Sequence, residues 1–454
     1  MARGVHRPPP TMARIKGFFW FFLLALAGLW WWTDTTAWST LPGVFSWRTG
    51  LLQYSGVLGI GVMSLAMVLA ARPAWFESPL GGLDKMYRLH RWLGISGLVL
   101  AVSHWLLARG PPWAVGRGWL ERPARGPRPA LPEGSLQHWL STHRGLAEGA
   151  GKWAFYALVL LTVLALVKQF PYRYFVKTHR LLAVAYLVLV GHSVVLLRFD
   201  SWSGLLGPVL GLLMLAGTVA AVLVLVNRGA ARHQRVGEVV AVRQHERLDV
   251  LEVDIQLQGR WAGHKPGQFA FVTLHADEGA HPFTISSDWR GDGRLTFIIK
   301  ALGDYTRTLA HRTRVGDAVK VEGPYGRFNF QGTQPHQIWV GAGIGITPFV
   351  ARMKALARAG DGKDIDLFHT TTVLDPQVMS LLQKDASDAH VTLHVWDPRD
   401  GLLTAAKVAA QLPGWRDADV WFCGPSAFGL ALKKDLVAMG LPAARFHQEL
   451  FEMR

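Results

Sequence analysis

Cysteine is almost missing from this chain: 454 residues contain one, Cys423. A disulfide within the chain is therefore excluded, and so is an iron–sulfur cluster held by several thiolates. Charge is sparse too, with Asp, Glu, Lys and Arg making up 18% of the residues. What charge there is leans one way, 48 Lys and Arg against 32 Asp and Glu, for a formal net charge of +16. The basic surplus is spread along the chain and forms no stripe interleaved with aromatics, so no nucleic-acid partner is expected. Loops flanking a membrane and phosphate-bearing ligands account for it better.

Long apolar runs, by contrast, are plentiful. Half of the residues are hydrophobic and 20 are Trp, a residue that anchors helices at the membrane interface. Runs at about 17–32, 50–71, 88–108, 151–167, 177–197 and 204–226 give six spans and predict an integral protein of the lipid bilayer. No small-residue cleavage site follows WWWTDTT closely, so the first run reads as an uncleaved helix behind a basic tail, residues 1–16. Six spans leave both ends on one side. Arg3, Arg7, Arg14 and Lys16 of the tail, with Arg72, Lys85, Arg88, Lys168, Arg173 and Lys177, place that side in the cytoplasm of a bacterial-type inner or plasma membrane. The loop 110–150 opposes this, since Arg117, Arg122, Arg125, Arg128 and Arg144 would face outward.

Two of the spans carry paired histidines: His90 and His104 in YRLHRWLGISGLVLAVSHWLL, His179 and His192 in KTHRLLAVAYLVLVGHSVVLL. Imidazole is costly in a membrane unless it has a partner. A single such histidine serves as readily for packing or hydrogen bonding, but two matched pairs argue for haem iron. At about 1.5 Å per residue the fourteen-residue step spans roughly 21 Å, enough for two stacked haems, one on His90 and His179 and one on His104 and His192. At about 100° per residue the thirteen-residue step leaves His192 about 140° from His179, so the second helix is expected to tighten or bend.

Beyond Asn227 the pattern shortens to VGEVVAV, DVLEVDIQL, QFAFVTL, FTISS, RLTFIIKAL and AVKVEG, strands of a compact antiparallel β-barrel over 232–332. From 335 to 454 strands alternate with helices, which implies an α/β domain with a parallel sheet. The expected architecture is thus a six-helix transmembrane bundle over 17–228, then the barrel, then the α/β domain.

In the barrel, HPFTISS (His281 to Ser287) offers an aromatic, hydroxyls and backbone amides as a wall for a flat flavin ring. In KALGDYT, Lys300 can meet a pyrophosphate while Gly303 to Thr306 opens a helix with free amides. EGPYG, Glu322 to Gly326, is a tight turn into the sheet. GAGIGITP, Gly341 to Pro348, follows a strand and opens a helix, the setting of a dinucleotide phosphate turn, although a bare tight turn would look the same.

Together the histidine pairs, HPFTISS, KALGDYT, EGPYG, GAGIGITP, FCGP and the ending HQELFEMR resemble the ferric reductase and NADPH oxidase superfamily, over nearly the whole chain. The resemblance implies a ferric reductase-like membrane domain with two b-type haems, fused to a ferredoxin-reductase-type FAD and NAD(P)H module. His90, His104, His179 and His192 match its haem ligands. His281, Pro282, Phe283, Thr284 and Ser287 match its flavin strand, and Lys300, Gly303 and Thr306 its FAD phosphate turn. Gly341, Gly343, Gly345, Thr347 and Pro348 match the nicotinamide-nucleotide turn, with Cys423, Gly424 and Pro425 at the nicotinamide end. Phe451 matches the aromatic that covers the flavin, and Glu449 is implied beside it.

Two departures bear on substrate. Many oxidases of this superfamily carry another histidine one turn past the outer ligand, where this chain has Ala108, so a ferric chelate is the expected acceptor ahead of oxygen. His138 and His143 are further candidates for an acceptor site, or plain loop residues. After the second parallel strand, HTTTVLDP supplies Thr370 to Thr372 but no arginine for a ribose 2'-phosphate, leaving NADH as open as NADPH.

Overall fold

The computed structural model describes residues 12–33, 44–121, 131–167, 169–226 and 234–449. The chain divides into two compact units, a helical one of Met1–Gly81 and Lys85–Gly229 and a second of Gly82–Asp84 and Ala230–Arg454.

The helical unit comprises α1 (Met12–Thr33), α2 (Val44–Ala70), α3 (Ala74–Leu80), α4 (Leu83–Gly116), α5 (Leu136–Leu166), α6 (Tyr172–Leu196), α7 (Phe199–Ser203) and α8 (Leu206–Leu225). Among the described residues, six of these (α1, α2, α4, α5, α6 and α8) are long and apolar enough to cross a membrane. Several polar groups inside the bundle find partners on neighbouring helices. Ser64 on α2 bonds Tyr186 on α6 at 2.8 Å, and the tyrosine hydroxyl donates to the Met214 carbonyl on α8 at 3.2 Å. Arg180 on α6 donates to the Val224 and Leu225 carbonyls at 3.2 and 2.8 Å, satisfying acceptors that the end of α8 leaves open.

Both helices flanking the expected loop 110–150 are longer than their apolar runs. The first continues to Gly116 through Pro111 and Pro112, and the second already starts at Leu136, capped by Ser135, whose hydroxyl accepts from His138 N at 3.1 Å. Counting apolar residues measures only the part of a helix inside hydrocarbon. At about 1.5 Å per residue α4 is about 51 Å long, against a core of about 30 Å. Arg122, Arg125 and Arg128 lie outside the described residues.

In the second unit β1 (Gln234–His245), β2 (Val250–Leu257), β3 (Phe269–Thr273), β4 (His281–Thr284), β5 (Arg294–Lys300) and β6 (Ala318–Tyr325) form an antiparallel sheet in the order β4-β3-β6-β1-β2-β5. The sheet curls until its ends meet: Ile285 bridges Phe297, and Ser286 N donates to the Thr296 carbonyl at 2.8 Å. Val253, Ile255, Ile285, Leu295 and Phe297 fill the interior. Helix α9 (Asp304–Arg312) follows β5.

The parallel sheet takes β7 (His336–Ala342), β8 (Asp364–Thr370), β9 (Thr392–Trp396), β10 (Asp419–Cys423) and β11 (Phe446–Gln448) in the order β11-β10-β7-β8-β9. Helices α10 (Thr347–Leu356), α11 (Pro376–Asp388), α12 (Ala405–Gln411) and α13 (Ser426–Ala438) connect these strands. Strand β11, formed by the start of the C-terminal motif, is an addition to the expected set. Strand order reverses between β7 and β10, and the crevice at their carboxyl ends is where such sheets bind ligands. Phe328 and Phe330, leaving the first sheet, pack against Trp421 and Phe349, and Arg358 donates to Asp288 at 2.5 Å across the two domains.

At the opposite end of β10, burial alone would raise the Asp419 carboxyl, but bonds from His447 Nε2 (3.0 Å) and Gln334 N (2.9 Å) outweigh it and hold the group below its usual range. A depressed carboxylate adds stability that is complete above its unfolded value of about 3.9 and is lost as pH falls through the lower folded value. Asp419→Asn should therefore lower the thermal midpoint at pH 7, with the deficit shrinking below about pH 4. Equal midpoints at pH 7 would count against this reading of the bond network.

Candidate functional site

Helices α4 and α6 bring the four membrane histidines together two by two. The His90 and His179 rings are 5.9 Å apart between centroids, and those of His104 and His192 are 6.3 Å apart. Their planes cross at 69° and 79°. Three of the rings are tied through Nδ1 to carbonyls on neighbouring helices: His90 to Ala66 at 2.9 Å, His104 to Leu52 at 3.1 Å and His192 to Ala147 at 2.9 Å. A bond from Nδ1–H to a carbonyl fixes the tautomer and leaves Nε2 as the free acceptor. The fourth, His179, packs against Phe175 at 5.0 Å, and its buried Nδ1 has no hydrogen-bond partner among the described residues.

Helix α6 stays continuous from Tyr172 to Leu196, so the thirteen-residue step needs no break in the helix. Neighbouring helices make room for the rings instead. A Cβ on Gly151 of α5 would collide with the His192 ring, and one on Gly56 of α2 would lie 3.3 Å from His104 Cε1.

In the barrel, strand β4 leaves His281, Pro282, Phe283 and Thr284 half-buried, an apolar edge that the protein does not cover completely. His281 stacks on Tyr305 at 4.4 Å, and Tyr305 in turn meets His275 Nδ1 through its hydroxyl at 3.0 Å. Burial lowers the His281 imidazole to about 4 and pushes the Tyr305 phenol up, so both are neutral at physiological pH. Ser287 is engaged in barrel closure: its hydroxyl accepts from Thr296 N at 3.1 Å and its carbonyl meets His264 Nε2 at 2.9 Å. Lys300 ends β5, and Gly303 caps α9, where Thr306 Oγ1 accepts from Gly303 N at 2.9 Å.

Beyond β7, the glycines of GAGIGITP do different work. Gly343 has φ +56 and open space where a side chain would stand, so its backbone is approachable. Gly341 is closed in by Ile346 and Phe349, and Gly345 lies directly on the Cys423 backbone. Thr347 and Pro348 open α10. Gly341 and Cys423 are register partners across β7 and β10, with Gly424 packed on Ala342 and Pro425 capping α13. The Cys423 thiol is raised by burial first and by the charge of Glu449 second, so it stays protonated. Glu449 is 4% exposed, and a Cβ on Gly326 of the EGPYG turn would lie 2.9 Å from its Oε1. Phe451 lies outside the described residues.

Several supporting residues carried no local signal. His369 on β8 is buried, holds the Gly341 carbonyl at the start of GAGIGITP at 3.0 Å and is kept neutral by burial. Gly56 and Gly151 look like any other helical glycine. His143 bonds its own helix, Nδ1 to the Trp139 carbonyl at 2.8 Å.

Comparison with known proteins follows the same division. The profile of the "Ferric reductase like transmembrane component" family matches residues 55–190, and that of an "FAD-binding domain" family matches 237–329. A toluate 1,2-dioxygenase electron transfer component of Pseudomonas putida is 25% identical over 198 residues, covering 41% of this chain and 58% of that protein. A flavohemoprotein of Pseudomonas aeruginosa is 28% identical over 202 residues, covering 41% and 51%. The chain spans between 51% and 64% of the length of the first curated relatives it matches. Among solved structures, the FAD/NAD binding domain of a nitric oxide dioxygenase from Vibrio cholerae aligns with TM-score 0.42 and 22% identity, over 47% of this chain and 97% of that one. A ferric reductase-like membrane component followed by an FAD-binding domain and a parallel-sheet domain matches the architecture of the ferric reductase and NADPH oxidase superfamily.

Proposed function

We propose that this membrane oxidoreductase takes electrons from cytosolic NADH or NADPH and carries them through FAD and two b-type haems to an acceptor on the outer face, a ferric chelate. The observation that carries the haem reading is the spacing of the two histidine pairs. Two imidazoles bound to one metal at about 2.0–2.1 Å per bond leave ring centroids roughly 6–6.5 Å apart. The pairs stand at 5.9 and 6.3 Å. Tautomers fixed through Nδ1 on three rings support the same assignment.

When bound, FAD supplies the conversion from the two electrons of a nicotinamide to the single electrons that haem iron accepts. The residues of the chain bind, orient and exclude water. His281, Pro282, Phe283, Thr284 and Ser287 would form the wall for the flavin ring, while Lys300, Gly303 and Thr306 would hold its phosphates at the start of α9. Gly341, Gly343, Gly345, Thr347 and Pro348 seat the nicotinamide nucleotide, and Cys423, Gly424 and Pro425 line its reactive end. Glu449 would sit close to the flavin and nicotinamide, and Phe451 is assigned to the covering aromatic. No general base is needed, because the chemistry is hydride and electron transfer.

Ala108 in place of a second outer histidine favours a ferric chelate over oxygen. The test is a reduced-minus-oxidised spectrum of the purified chain on anaerobic addition of NADH or NADPH, followed by ferric chelate, oxygen and quinone in separate cuvettes. Paired b-type bands that appear with nucleotide and vanish fastest with ferric chelate are expected. No haem absorbance, with nucleotide still consumed, would reduce the protein to a flavin reductase on a membrane anchor; no consumption at all would leave a nucleotide-binding sensor or permease.

A second expectation concerns Gly345. A Cβ there meets the Cys423 backbone, so Gly345→Ala should move the phosphate turn and slow flavin reduction on the order of a hundredfold, as misplacement of about 1 Å can do. Stopped-flow reduction by NADH measures it, and a rate within twofold of wild type would show that the turn does not seat the nucleotide.

A further inference from the structure

Two carbonyls of α4 have lost their helical donors. Those of Leu107 and Ala108 would normally accept from the N–H four residues on, but these positions are Pro111 and Pro112, which have none. Arg48, on α2, supplies both bonds: Nε donates to the Leu107 carbonyl at 2.8 Å and Nη2 to the Ala108 carbonyl at 3.1 Å. Two prolines, two orphaned carbonyls and two guanidinium donors match one to one. The flat fork of arginine can straddle adjacent carbonyls, whereas a lysine presents a single nitrogen.

The same face of α2 also touches His104. Four and seven residues after Arg48, the Leu52 carbonyl and Ser55 Oγ lie 3.1 and 3.2 Å from His104 Nδ1. Successive turns of α2 therefore grip successive turns of α4, at 104 through the ring and at 107 and 108 through the backbone. Arg48 lies before the stretch that matches the ferric reductase family profile.

We infer that Arg48 is the positioning residue of the His104–His192 pair: by replacing the donors that Pro111 and Pro112 remove, it fixes the turn of α4 that carries His104 against the α2 groups that orient its ring. The inference rests on the proposed haem at that pair.

The experiment uses the full chain in detergent, with Arg48→Gln and Arg48→Lys made in the wild-type background and in a Pro111→Ala/Pro112→Ala background, where the helical donors are restored. The readouts are the midpoint potential and the low-spin iron resonance of the centre that disappears in His104→Ala. Arg48→Gln should shift both in the wild-type background, leave the other centre and flavin reduction by NADH unchanged, and have less than a quarter of that effect beside the restored donors. Arg48→Lys should fall between. An equal shift in both backgrounds, or none in either, overturns the inference. A variant that accumulates only in the alanine background supports it, and one that fails in both backgrounds overturns it. If the wild-type chain binds no haem, the proposed function fails by itself, and the clamp is read from thermal unfolding: Arg48→Gln must destabilise the wild-type background more than the alanine one.

Discussion

Replacing His104 with alanine is expected to remove one of two haems from the purified chain and to abolish reduction of the outer acceptor, while NADH still reduces the flavin at the wild-type rate. The separation follows from the fold. His104 belongs to the helical unit, and its ring contacts are the Leu52 carbonyl and Ser55 on α2 and His192 on α6. The strand and the glycine turn proposed to bind flavin and nucleotide both belong to the other unit. Truncating the imidazole frees a backbone carbonyl that α2 also uses within its own helix, so the bundle should fold. It would leave His192 as the one histidine of a pair that the proposed haem needs whole. His90→Ala should give the complementary result: the remaining centre keeps its spectrum but stays oxidised when NADH is added, because we assign the His90–His179 pair to the flavin side and the His104–His192 pair to the acceptor side. If His104→Ala instead blocked flavin reduction, or if His90→Ala left the other centre reducible at the wild-type rate, the direction assigned to the pathway would be wrong.

Whether a feature could be read in the sequence depended on whether its cause was local. The six apolar runs, the strand pattern of the barrel and the alternation after residue 335 each reflect burial of neighbouring residues at a fixed period, and each appears as a helix or strand in the fold. The ends of α4 and α5 did not show, because outside hydrocarbon a helix continues on capping and polar contacts, such as Ser135 with His138 N, that leave no apolar run. Strand β11 did not show either, since three residues are too few to display a period. A residue's local role was legible where a backbone needs a particular residue: Gly343, at φ +56, is one such case. It was not legible where the requirement comes from a distant element. Arg48 answers two prolines more than sixty residues away, and His369 answers a carbonyl in a turn that precedes it by 28 residues.

Gly151 is the sharpest case of a requirement set from outside its own helix. Alanine is a better helix former than glycine by about 0.8–1.0 kcal/mol, so a Gly→Ala change in a helix interior is ordinarily stabilising where the space is free. On α5 the space is free at Gly145 and Gly149, where an added Cβ meets nothing within 4 Å. At Gly151 the added methyl would run into the His192 ring, with Cε1 at 2.5 Å and Cγ at 2.8 Å. That ring is held by Nδ1 to the Ala147 carbonyl one turn earlier on the same helix, so it cannot swing away without breaking the bond that fixes its tautomer. Gly149→Ala should therefore raise the thermal midpoint and leave both haems in place. Gly151→Ala, two residues on, should lose the haem at His104 and His192, as His192→Ala would, although it changes no ligand. Haem content per chain and the reduced-minus-oxidised spectrum distinguish them. If Gly151→Ala kept two haems with unshifted bands, α5 would not be what seats His192, and the ring would have to be oriented by α4 and α6 alone.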